Sequence, residues 1–315
     1  MLNYKEMSNL LIGLSDKMPI YIAGHIKPDQ DSVCSSLALC EYLCGLGKNA
    51  NILLLENDKD ILNWNPDFSK IKFNVSEEKF VFIALDLNDK KRLGDFLPFF
   101  ENAEIKINID HHEGNDEFSD YTLSDSKSSS TSEMIFELLM LNTDFVLNKK
   151  IAEYLYSGIY NDTAGFSRRL TSRTLEISQI LINSNIDFMF INKETLQKRT
   201  MYQFKAMAKI DEEMKFCGFH YSIIDMARDE FKNLKHNQIT KEITEDIRKI
   251  DEIDIYIVLI VSGDVITGKV MSNKSENANV IASILGGGGH KREAGFTLVN
   301  VSVDEILEKL KECIY

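Results

Sequence analysis

The sequence lacks long hydrophobic runs. The longest uninterrupted apolar segment among the 315 residues is IYIVLIV at 255–261, whereas a membrane-spanning helix needs roughly 20 such residues. No basic segment followed by an apolar one marks the start of the chain as a secretory signal. We therefore expect a cytoplasmic protein that does not interact with a membrane.

Cysteine is also scarce. The five cysteines are an odd number and contain no C-x-x-C pair; they are Cys34, Cys40, Cys44, Cys217 and Cys313. This pattern argues against both a disulfide framework and a thiolate zinc site. We expect the cysteines to be small buried residues, although Cys34 falls inside a motif described below.

The chain has fewer positively charged than negatively charged residues. The chain has 36 Lys and Arg against 49 Asp and Glu, a formal net charge of −13 at pH 7. Such a protein is not expected to hold long duplex nucleic acid, which requires a basic surface that releases counterions. A small anionic substrate held by metal ions or by a few cations remains compatible with this charge.

The first half of the chain alternates strand-like and helix-like segments. Short β-rich apolar runs lie at 19–25, 50–56, 80–86 and 105–110, and the clearest helical stretch between them is 32–46. Alternation of this kind predicts a mostly parallel sheet of the α/β class. In such sheets ligands bind at the carboxyl ends of the strands.

A helical region that completes the first domain, and then a smaller α/β domain, are predicted after these strands. Helices are expected at 132–141, 148–160 and 172–183, followed by a long helical stretch at 188–216. Beyond it we expect a strand at 219–225, a hairpin around 262–264, and helices at 278–285 and 303–313. The resulting organisation is a catalytic domain at 1–185, a helical linker at 186–215 and a substrate-binding domain at 216–315.

Potential metal ligands follow the first predicted strand. The segment HIKPDQD supplies His25, Asp29 and Asp31 within seven residues. Imidazole and carboxylate together suit borderline metals such as manganese, iron, cobalt or zinc. Taken alone, the segment is more typical of a turn in which Asp31 and Ser32 cap the following helix.

Further candidates follow two other strands and one helix. Asp86 closes the apolar run FVFIALD, and such a carboxylate is costly to bury unless it is paired or bound to metal. Asp162, in GIYNDTAGF, follows a predicted helix, and a strand ends in Asp110, His111 and His112. The candidate ligands are His25, Asp29, Asp31, Asp86, His111 and Asp162.

The charges of these ligands suggest a reaction class. Four of the six are anionic, which would balance two divalent ions. Two ions roughly 3.5–4 Å apart would share a carboxylate, lower the pKa of a water between them and bind both oxygens of an in-line displacement at phosphorus. The sequence therefore predicts metal-assisted phosphoester hydrolysis.

Five ordered motifs resemble those of the DHH phosphoesterase superfamily. They are H-x-x-x-D-x-D at 25–31, L-D-x-x-D-x-x-R-x-G at 85–94, I-D-H-H at 109–112, N-D-T-x-G-F at 161–166 and G-G-G-G-H-x-x-x-A-G at 286–295. They are most similar to the nanoRNase and pAp-phosphatase type, two-domain enzymes that degrade very short oligonucleotides. The resemblance spans nearly the whole chain.

The resemblance implies a role for each matching residue. His25, Asp29 and Asp86 would hold one manganese ion, and Asp31, Asp86, His111 and Asp162 a second, with Asp86 bridging; cobalt or magnesium would be possible substitutes. Asp110 would orient an imidazole, as metal-bound histidines usually require. His112 would face the substrate phosphate and protonate the leaving oxygen, so that the catalytic residues are His112 and Asp86.

The resemblance also places substrate contacts near the end of the chain. Glycine lets backbone approach a ligand closely, and successive N–H groups form an anion-binding concavity; the alternative is a merely flexible loop. The predicted substrate-binding residues are His112, Lys274, Ser275, Gly287, Gly288, Gly289 and His290.

Four positions depart from the family pattern without removing a ligand. Gln30 and Cys34 stand where glycines are usual, Lys274 replaces arginine and Glu293 replaces alanine. Lysine cannot grip phosphate bidentately, so we expect these changes to affect substrate affinity or preference. Three arginines after the Asp162 motif, Arg168, Arg169 and Arg173, are expected to form a solvated face, with a phosphate or base contact as the alternative.

The sequence thus favours a manganese-dependent phosphodiesterase. Its expected substrates are short RNA oligonucleotides and linear dinucleotides such as pApA, cleaved to mononucleotides, with pAp cleaved to AMP. One alternative is a pyrophosphatase or polyphosphatase of the same superfamily, which would rely on more lysines and arginines. The other is a nucleotide sensor without catalysis. A homodimer is compatible with each of these functions.

Overall fold

The computed structural model describes residues 1–55, 70–115, 117–234, 236–275, 277–289 and 291–314, with no side chains described at 236–238, 241, 313 and 314. The chain forms two compact units, residues 1–198 and 199–315. None of the helices in the described part is long and apolar enough to cross a membrane.

The first unit contains a six-stranded parallel sheet. Its strands are β1 (Ile20–Ala23), β2 (Ala50–Leu53), β3 (Ile71–Lys72), β4 (Val81–Leu85), β5 (Ile105–Asp110) and β6 (Tyr121–Ser124). The spatial order is β3-β2-β1-β4-β5-β6, and every neighbouring pair is parallel. The predicted α/β class with a parallel sheet is confirmed.

Both faces of this sheet are buried, which explains its continuous apolar strands. Ile20 and Ile22 pack into a core cluster on one face, and Tyr21 and Ala23 into a second cluster on the other. Alternate side chains of a strand point to opposite faces, so a parallel sheet covered on both sides needs apolar residues at every position.

In the described part of the first unit, seven α-helices accompany the sheet. They are α1 (Tyr4–Gly13), α2 (Gln30–Gly45), α3 (Leu97–Asn102), α4 (Thr131–Met140), α5 (Lys149–Asp162), α6 (Ser172–Ile182) and α7 (Phe188–Asn192). Asp29 caps α2 by accepting the N–H of Ser32, and Ser130 caps α4 by accepting that of Glu133. These caps satisfy N–H groups that the first helical turn leaves without partners.

The strand order positions a ligand site. From β1 to β3 successive strands are added on one side of the sheet, and from β4 to β6 on the other side. The switch point between β1 and β4 opens a crevice at the carboxyl ends of the strands. The segment that begins α2 leaves β1 here, Asp86 follows β4, and Asp110 ends β5. The predicted ligands therefore converge on this crevice.

The second unit contains a mixed six-stranded sheet. Its strands are β7 (Lys215–Phe216), β8 (His220–Asp225), β9 (Ile255–Ser262), β10 (Val265–Ser272), β11 (Gly288–Gly289) and β12 (Glu293–Val299), in the order β11-β12-β10-β9-β8-β7. Among the strand pairs that the structure describes in this sheet, only β8–β9 is parallel. The helices are α8 (Met201–Glu212), α9 (His236–Ile247), α10 (Ala278–Ile284) and α11 (Val303–Ile314).

The stretch predicted as helical from 188 to 216 is interrupted. After α7 comes a π-helical turn, Lys193–Gln197, and Lys198 has an extended backbone. Thr200 then starts α8 through a capping box with Gln203. The capping box provides hydrogen-bond partners for N–H groups at the start of α8, so the region forms two helices rather than one.

Candidate metal centre

Asp86 lies at the centre of the candidate site. It follows β4 with a left-handed backbone (φ 64°) and is 2% exposed. Its Oδ1 lies 3.5 Å from Nε2 of His111 and its Oδ2 lies 3.5 Å from Nε2 of His25, while Thr131 Oγ1 donates to Oδ1 at 3.1 Å. Burial opposes ionisation, but the two histidines outweigh it and hold the pKa of Asp86 well below its usual range.

Asp31 is held by the N-terminus of α4. Its two carboxylate oxygens accept the backbone N–H groups of Thr131 at 2.8 Å and Ser132 at 2.9 Å. A fully buried carboxylate is stabilised there by the unpaired N–H groups and the helix dipole. Burial and the charges of Asp86 and Asp162 nevertheless raise the pKa of Asp31.

Helix α5 approaches this carboxylate through a glycine. A Cβ atom on Gly158 would lie 2.0 Å from Oγ of Ser132 and 2.7 Å from Oδ1 of Asp31. No side chain fits at this distance without displacing one helix from the other. Gly158 thus permits the close packing that brings Asp162, at the end of α5, to the site.

His111 bridges two carboxylates. Its Nε2 lies 3.4 Å from Oδ2 of Asp162 in addition to its contact with Asp86. Burial lowers the pKa of His111, but the carboxylates of Asp86, Asp162 and Asp31 outweigh it and raise the pKa to about 9. For Asp162, burial and the charge of Asp29 raise the pKa to about 6. The cluster therefore has more negative charge than its own cations neutralise.

The adjacent histidine has a different partner. Nδ1 of His112 lies 2.7 Å from Oδ1 of Asp110, whose Oδ2 accepts the Asn115 side-chain amide at 3.1 Å. Asp110 is fully buried, whereas the His112 side chain is 27% exposed. The imidazole that Asp110 orients is thus that of His112, not that of the predicted metal ligand His111.

The donor atoms fit divalent metal ions. Three groups each place their ligand atoms within 4.8 Å of one another: His25, Asp29 and Asp86; Asp31, His111 and Asp162; and Asp86, His111 and His112. Imidazole nitrogen with carboxylate oxygen suits borderline divalent ions. All six predicted ligands are in these groups. Asp86 lies 3.5 Å from His25 of the first group and 3.5 Å from His111 of the second. His112 enters the third group, although the sequence did not predict it as a ligand.

Several contacts at the site had no sequence signal. Thr131 and Ser132, which bind Asp31 and Asp86, lie in a serine-rich segment typical of a helix start. Arg169, expected on a solvated face, places Nη1 3.3 Å from Oδ2 of Asp162. Arg173 does lie at the surface, where it pairs with Glu137 through Nε and Nη2.

The predicted substrate residues of the second unit lie around β9, β10 and β12. The backbone N–H groups of Lys274 and Ser275 donate to Oδ1 of Asp254 at 2.6 and 2.9 Å. Nζ of Lys274 donates to the carbonyl of Asp251 at 2.6 Å. Asp254 therefore fixes the turn that presents Lys274.

The glycine tract is a paired strand. Gly288 and Gly289 form β11 against β12. A Cβ on Gly287 would lie 2.1 Å from the carbonyl oxygen of Gly295, whereas one on Gly288 would meet nothing closer than 3.8 Å. Close backbone packing thus requires glycine at 287. His290 lies outside the described residues.

The remaining departures from the family pattern have ordinary contacts. Gln30 donates to Ser157 at 2.7 Å and to Thr195 at 3.2 Å. Cys34 is buried. Glu293 pairs with Lys269 at 2.7 Å and with Arg248 at 2.8 Å. None of these contacts involves a predicted metal ligand.

The protein has a parallel α/β unit followed by a mixed α/β unit. Its candidate metal centre lies at the switch point of the parallel sheet, where the imidazoles and carboxylates cluster. The chain belongs to the DHH phosphoesterase superfamily. The DHH family N-terminal domain matches residues 19–159 and the DHHA1 domain matches residues 219–315. Enzymes of this family are metal-dependent, which agrees with the ligand cluster.

Similar proteins extend over nearly the whole chain. The probable bifunctional oligoribonuclease and PAP phosphatase NrnA of Streptococcus mutans is 26% identical over 298 residues, 94% of each chain. NrnA of Thermus thermophilus, named as a bifunctional oligoribonuclease and PAP phosphatase, is 27% identical, covering 94% of this chain and 89% of its own.

A solved structure shares the fold. The exopolyphosphatase-related protein of Bacteroides fragilis superposes with a TM-score of 0.87 at 22% identity, over 99% of this chain and 95% of its own. The resemblance predicted from the five motifs is confirmed, as is the prediction of a phosphoric ester hydrolase.

Proposed function

We propose that this chain is a manganese-dependent phosphodiesterase that hydrolyses very short oligoribonucleotides and linear dinucleotides such as pApA to mononucleotides, and pAp to AMP. The observation that carries the proposal is the convergence of imidazoles and carboxylates around the buried Asp86. Near full-length similarity to two proteins named as oligoribonuclease and PAP phosphatase supports the substrate class.

The proposed ligands divide into two sets that share Asp86. His25, Asp29 and Asp86 would hold one ion, and Asp31, Asp86, His111 and Asp162 the other; their mutual distances support this division. Divalent ions bound there supply Lewis-acid stabilisation of phosphoryl oxygens and an activated water. The α4 N–H groups hold Asp31 in place, and Thr131 holds Asp86.

His112 is the proposed proton donor to the leaving oxygen. Asp110 lies within hydrogen-bond distance of Nδ1, which fixes the ring and favours a proton on that nitrogen. The side chain is partly exposed, unlike that of His111, so a substrate can reach it. A positioned imidazole typically accelerates proton transfer by about 10²–10⁴-fold.

The second unit is proposed to bind the end of the substrate. Lys274, Ser275, the glycines at 287–289 and His290 would contact its terminal phosphate, within a domain at 216–315 that a linker at 186–215 joins to the catalytic domain at 1–185. The net charge of −13 favours substrates with few phosphates over long strands. We further propose a cytoplasmic enzyme, with a homodimer as its candidate assembly.

Product analysis tests the proposal. The protein with manganese is incubated with a length series of 5′-labelled RNA, with pApA, with pAp and with pyrophosphate. We expect mononucleotides from the shortest substrates at the highest rates, AMP from pAp and little phosphate from pyrophosphate. Faster pyrophosphate hydrolysis would point to the pyrophosphatase alternative, and tight dinucleotide binding without product would point to a sensor.

The metal requirement is tested with a matched pair of variants. Asp86→Ala should abolish hydrolysis of pApA, because it removes a ligand from both proposed ion sites. Asp95→Ala is the control, since Asp95 is exposed and its carboxylate has no hydrogen-bond or ion-pair partner among the described residues. Activity of Asp86→Ala equal to that of the control would rule out the two-ion assignment.

A further inference from the structure

Arg169 lies at the edge of the metal cluster. Its Nη1 is 3.3 Å from Oδ2 of Asp162, the same oxygen that lies 3.4 Å from Nε2 of His111. The Arg169 side chain is 53% exposed, so its guanidinium contacts the cluster on one side and solvent on the other.

The loop that carries Arg169 is held in an unusual conformation. Four of its residues have a left-handed backbone: Ala164 (φ 48°), Gly165 (φ 68°), Phe166 (φ 65°) and Arg169 (φ 50°). The carbonyl of Thr163 accepts the N–H groups of both Ser167 and Arg168. Left-handed backbone at non-glycine residues persists only where surrounding structure enforces it, and it concentrates at functional sites.

Neighbouring arginines have different environments. Arg173, four residues further on, is engaged by Glu137 and Glu176. Arg169 donates only to Asp162 among the described residues, and through Nη1 alone. A guanidinium has five N–H donors in a planar fork that matches phosphate oxygens, so most of the donors of Arg169 remain available to a ligand.

Charge balance at the proposed site calls for another cation. The four carboxylates among the six ligands would balance two divalent ions, so the charge of a bound substrate would need cations from the surrounding residues. A half-exposed guanidinium next to Asp162 supplies one. It is placed at the metal cluster itself.

We propose that Arg169 is a substrate-binding residue whose guanidinium, positioned by Asp162, binds a non-bridging oxygen of the substrate phosphate at the metal centre. The inference rests on the proposed phosphodiesterase function and assigns to the first unit a cation that binds phosphate. For this residue the sequence favoured a solvated face and kept a phosphate or base contact as the alternative.

Arg169→Asn is the variant that isolates the guanidinium. Asparagine tolerates the left-handed backbone better than other side chains, so the loop should keep its conformation, and a thermal melt checks this. Arg169→Lys keeps the positive charge but loses the planar guanidinium with its paired N–H donors. Arg173→Asn is the matched control, because it removes a nearby arginine that has no contact with the proposed ligands.

Two readouts are measured with manganese-loaded protein. One is the KM and kcat for pApA, and the other is the affinity for AMP and inorganic phosphate by calorimetry, with bound manganese measured in every variant. We expect Arg169→Asn to raise KM and weaken AMP binding by about 10–100-fold, as loss of a charge-assisted hydrogen bond does. Arg169→Lys should be intermediate and Arg173→Asn within about two-fold of wild type.

The outcomes separate this inference from the proposed function. If wild type cleaves pApA while Arg169→Asn keeps its KM and AMP affinity, Arg169 does not bind substrate. If manganese content falls together with AMP affinity, the residue acts only through Asp162, and the inference is also wrong. If wild type cleaves none of the nucleotides but binds phosphate through Arg169, the phosphodiesterase proposal fails and the anion site stands.

Discussion

The buried carboxylate of Asp110 pairs with the imidazole of His112, with Oδ1 of Asp110 2.7 Å from Nδ1 of His112. The neighbouring His111 instead contacts Asp86 and Asp162. Two adjacent histidines therefore have different surroundings. One is set among candidate metal ligands, and the other is oriented by a carboxylate and remains partly exposed.

These surroundings predict different losses for the two histidines. His111→Ala should weaken manganese binding by more than the roughly 10–100-fold that loss of an outer partner costs. His112→Ala should leave bound manganese unchanged and lower kcat by about 10²–10⁴-fold. Metal content after dialysis and single-turnover rates distinguish the two effects.

Asp110→Asn provides the control for the pair. It keeps the size of the side chain but weakens the interaction that orients His112, so kcat should fall while manganese remains bound. Equal loss of manganese in the variants of both histidines would show that His112 is itself a ligand, as its distance to Asp86 allows.

The strand-end residues of the candidate site were predictable because each interrupts an apolar run with a group that is costly to bury. His25, Asp86 and Asp110 all follow this rule, and a parallel sheet brings the carboxyl ends of its strands to one edge. The sheet, its direction and its site edge therefore follow from local pattern and elementary topology.

Contacts between distant segments were not predictable. The N–H groups that hold Asp31 come from residues 100 and 101 positions away, and nothing in the local sequence marks that pairing. Strand β3 has two residues, too few for a periodic pattern to be recognised, and β6, with the sequence YTLS, lacks the continuous apolar run of β1 and β2. The interruption near Thr200 involves a capping box between Thr200 and Gln203, which the helical periodicity of the segment does not reveal.

Gly158 should not tolerate a side chain. Gly158→Ala should destabilise the protein by about 1–3 kcal/mol, as overpacking of a tight contact does, because its Cβ would meet Ser132 and Asp31. Manganese binding should weaken as well. Gly45→Ala, at the end of α2 with no atom within 4 Å of the new Cβ, is the control and should be neutral or stabilising. Thermal melts that fail to separate the two variants would contradict the packing.

Asp254 should contribute stability that depends on pH. Burial opposes its ionisation, but the N–H groups of Ser275 and Lys274 outweigh it and lower its pKa below the ordinary 3.8. Stability from this group is therefore present above pH 3.8 and is lost as the pH falls through the lower pKa of the folded state.

The variant Asp254→Asn tests this dependence. Its melting temperature should lie below that of wild type near neutral pH, and the difference should shrink as the pH falls below 3.8. Asp264→Asn, in the turn between β9 and β10, is the control, because its carboxylate accepts no hydrogen bond from any residue that the structure describes. A difference that stays constant with pH would argue against an ionised Asp254.

Variants of two glycines in the tract at 286–289 should separate effects on folding from effects on substrate binding. Gly287→Ala should lower the melting temperature, because its Cβ would lie 2.1 Å from the backbone oxygen of Gly295. At Gly288 the nearest atom is 3.8 Å away and the residue is exposed, so Gly288→Ala should fold normally. If the tract binds the terminal phosphate through its N–H groups, as proposed, the added methyl should nevertheless raise the KM for pApA with little change in kcat. An unchanged KM in Gly288→Ala, with Gly287→Ala destabilised, would mean that the glycines serve strand packing alone.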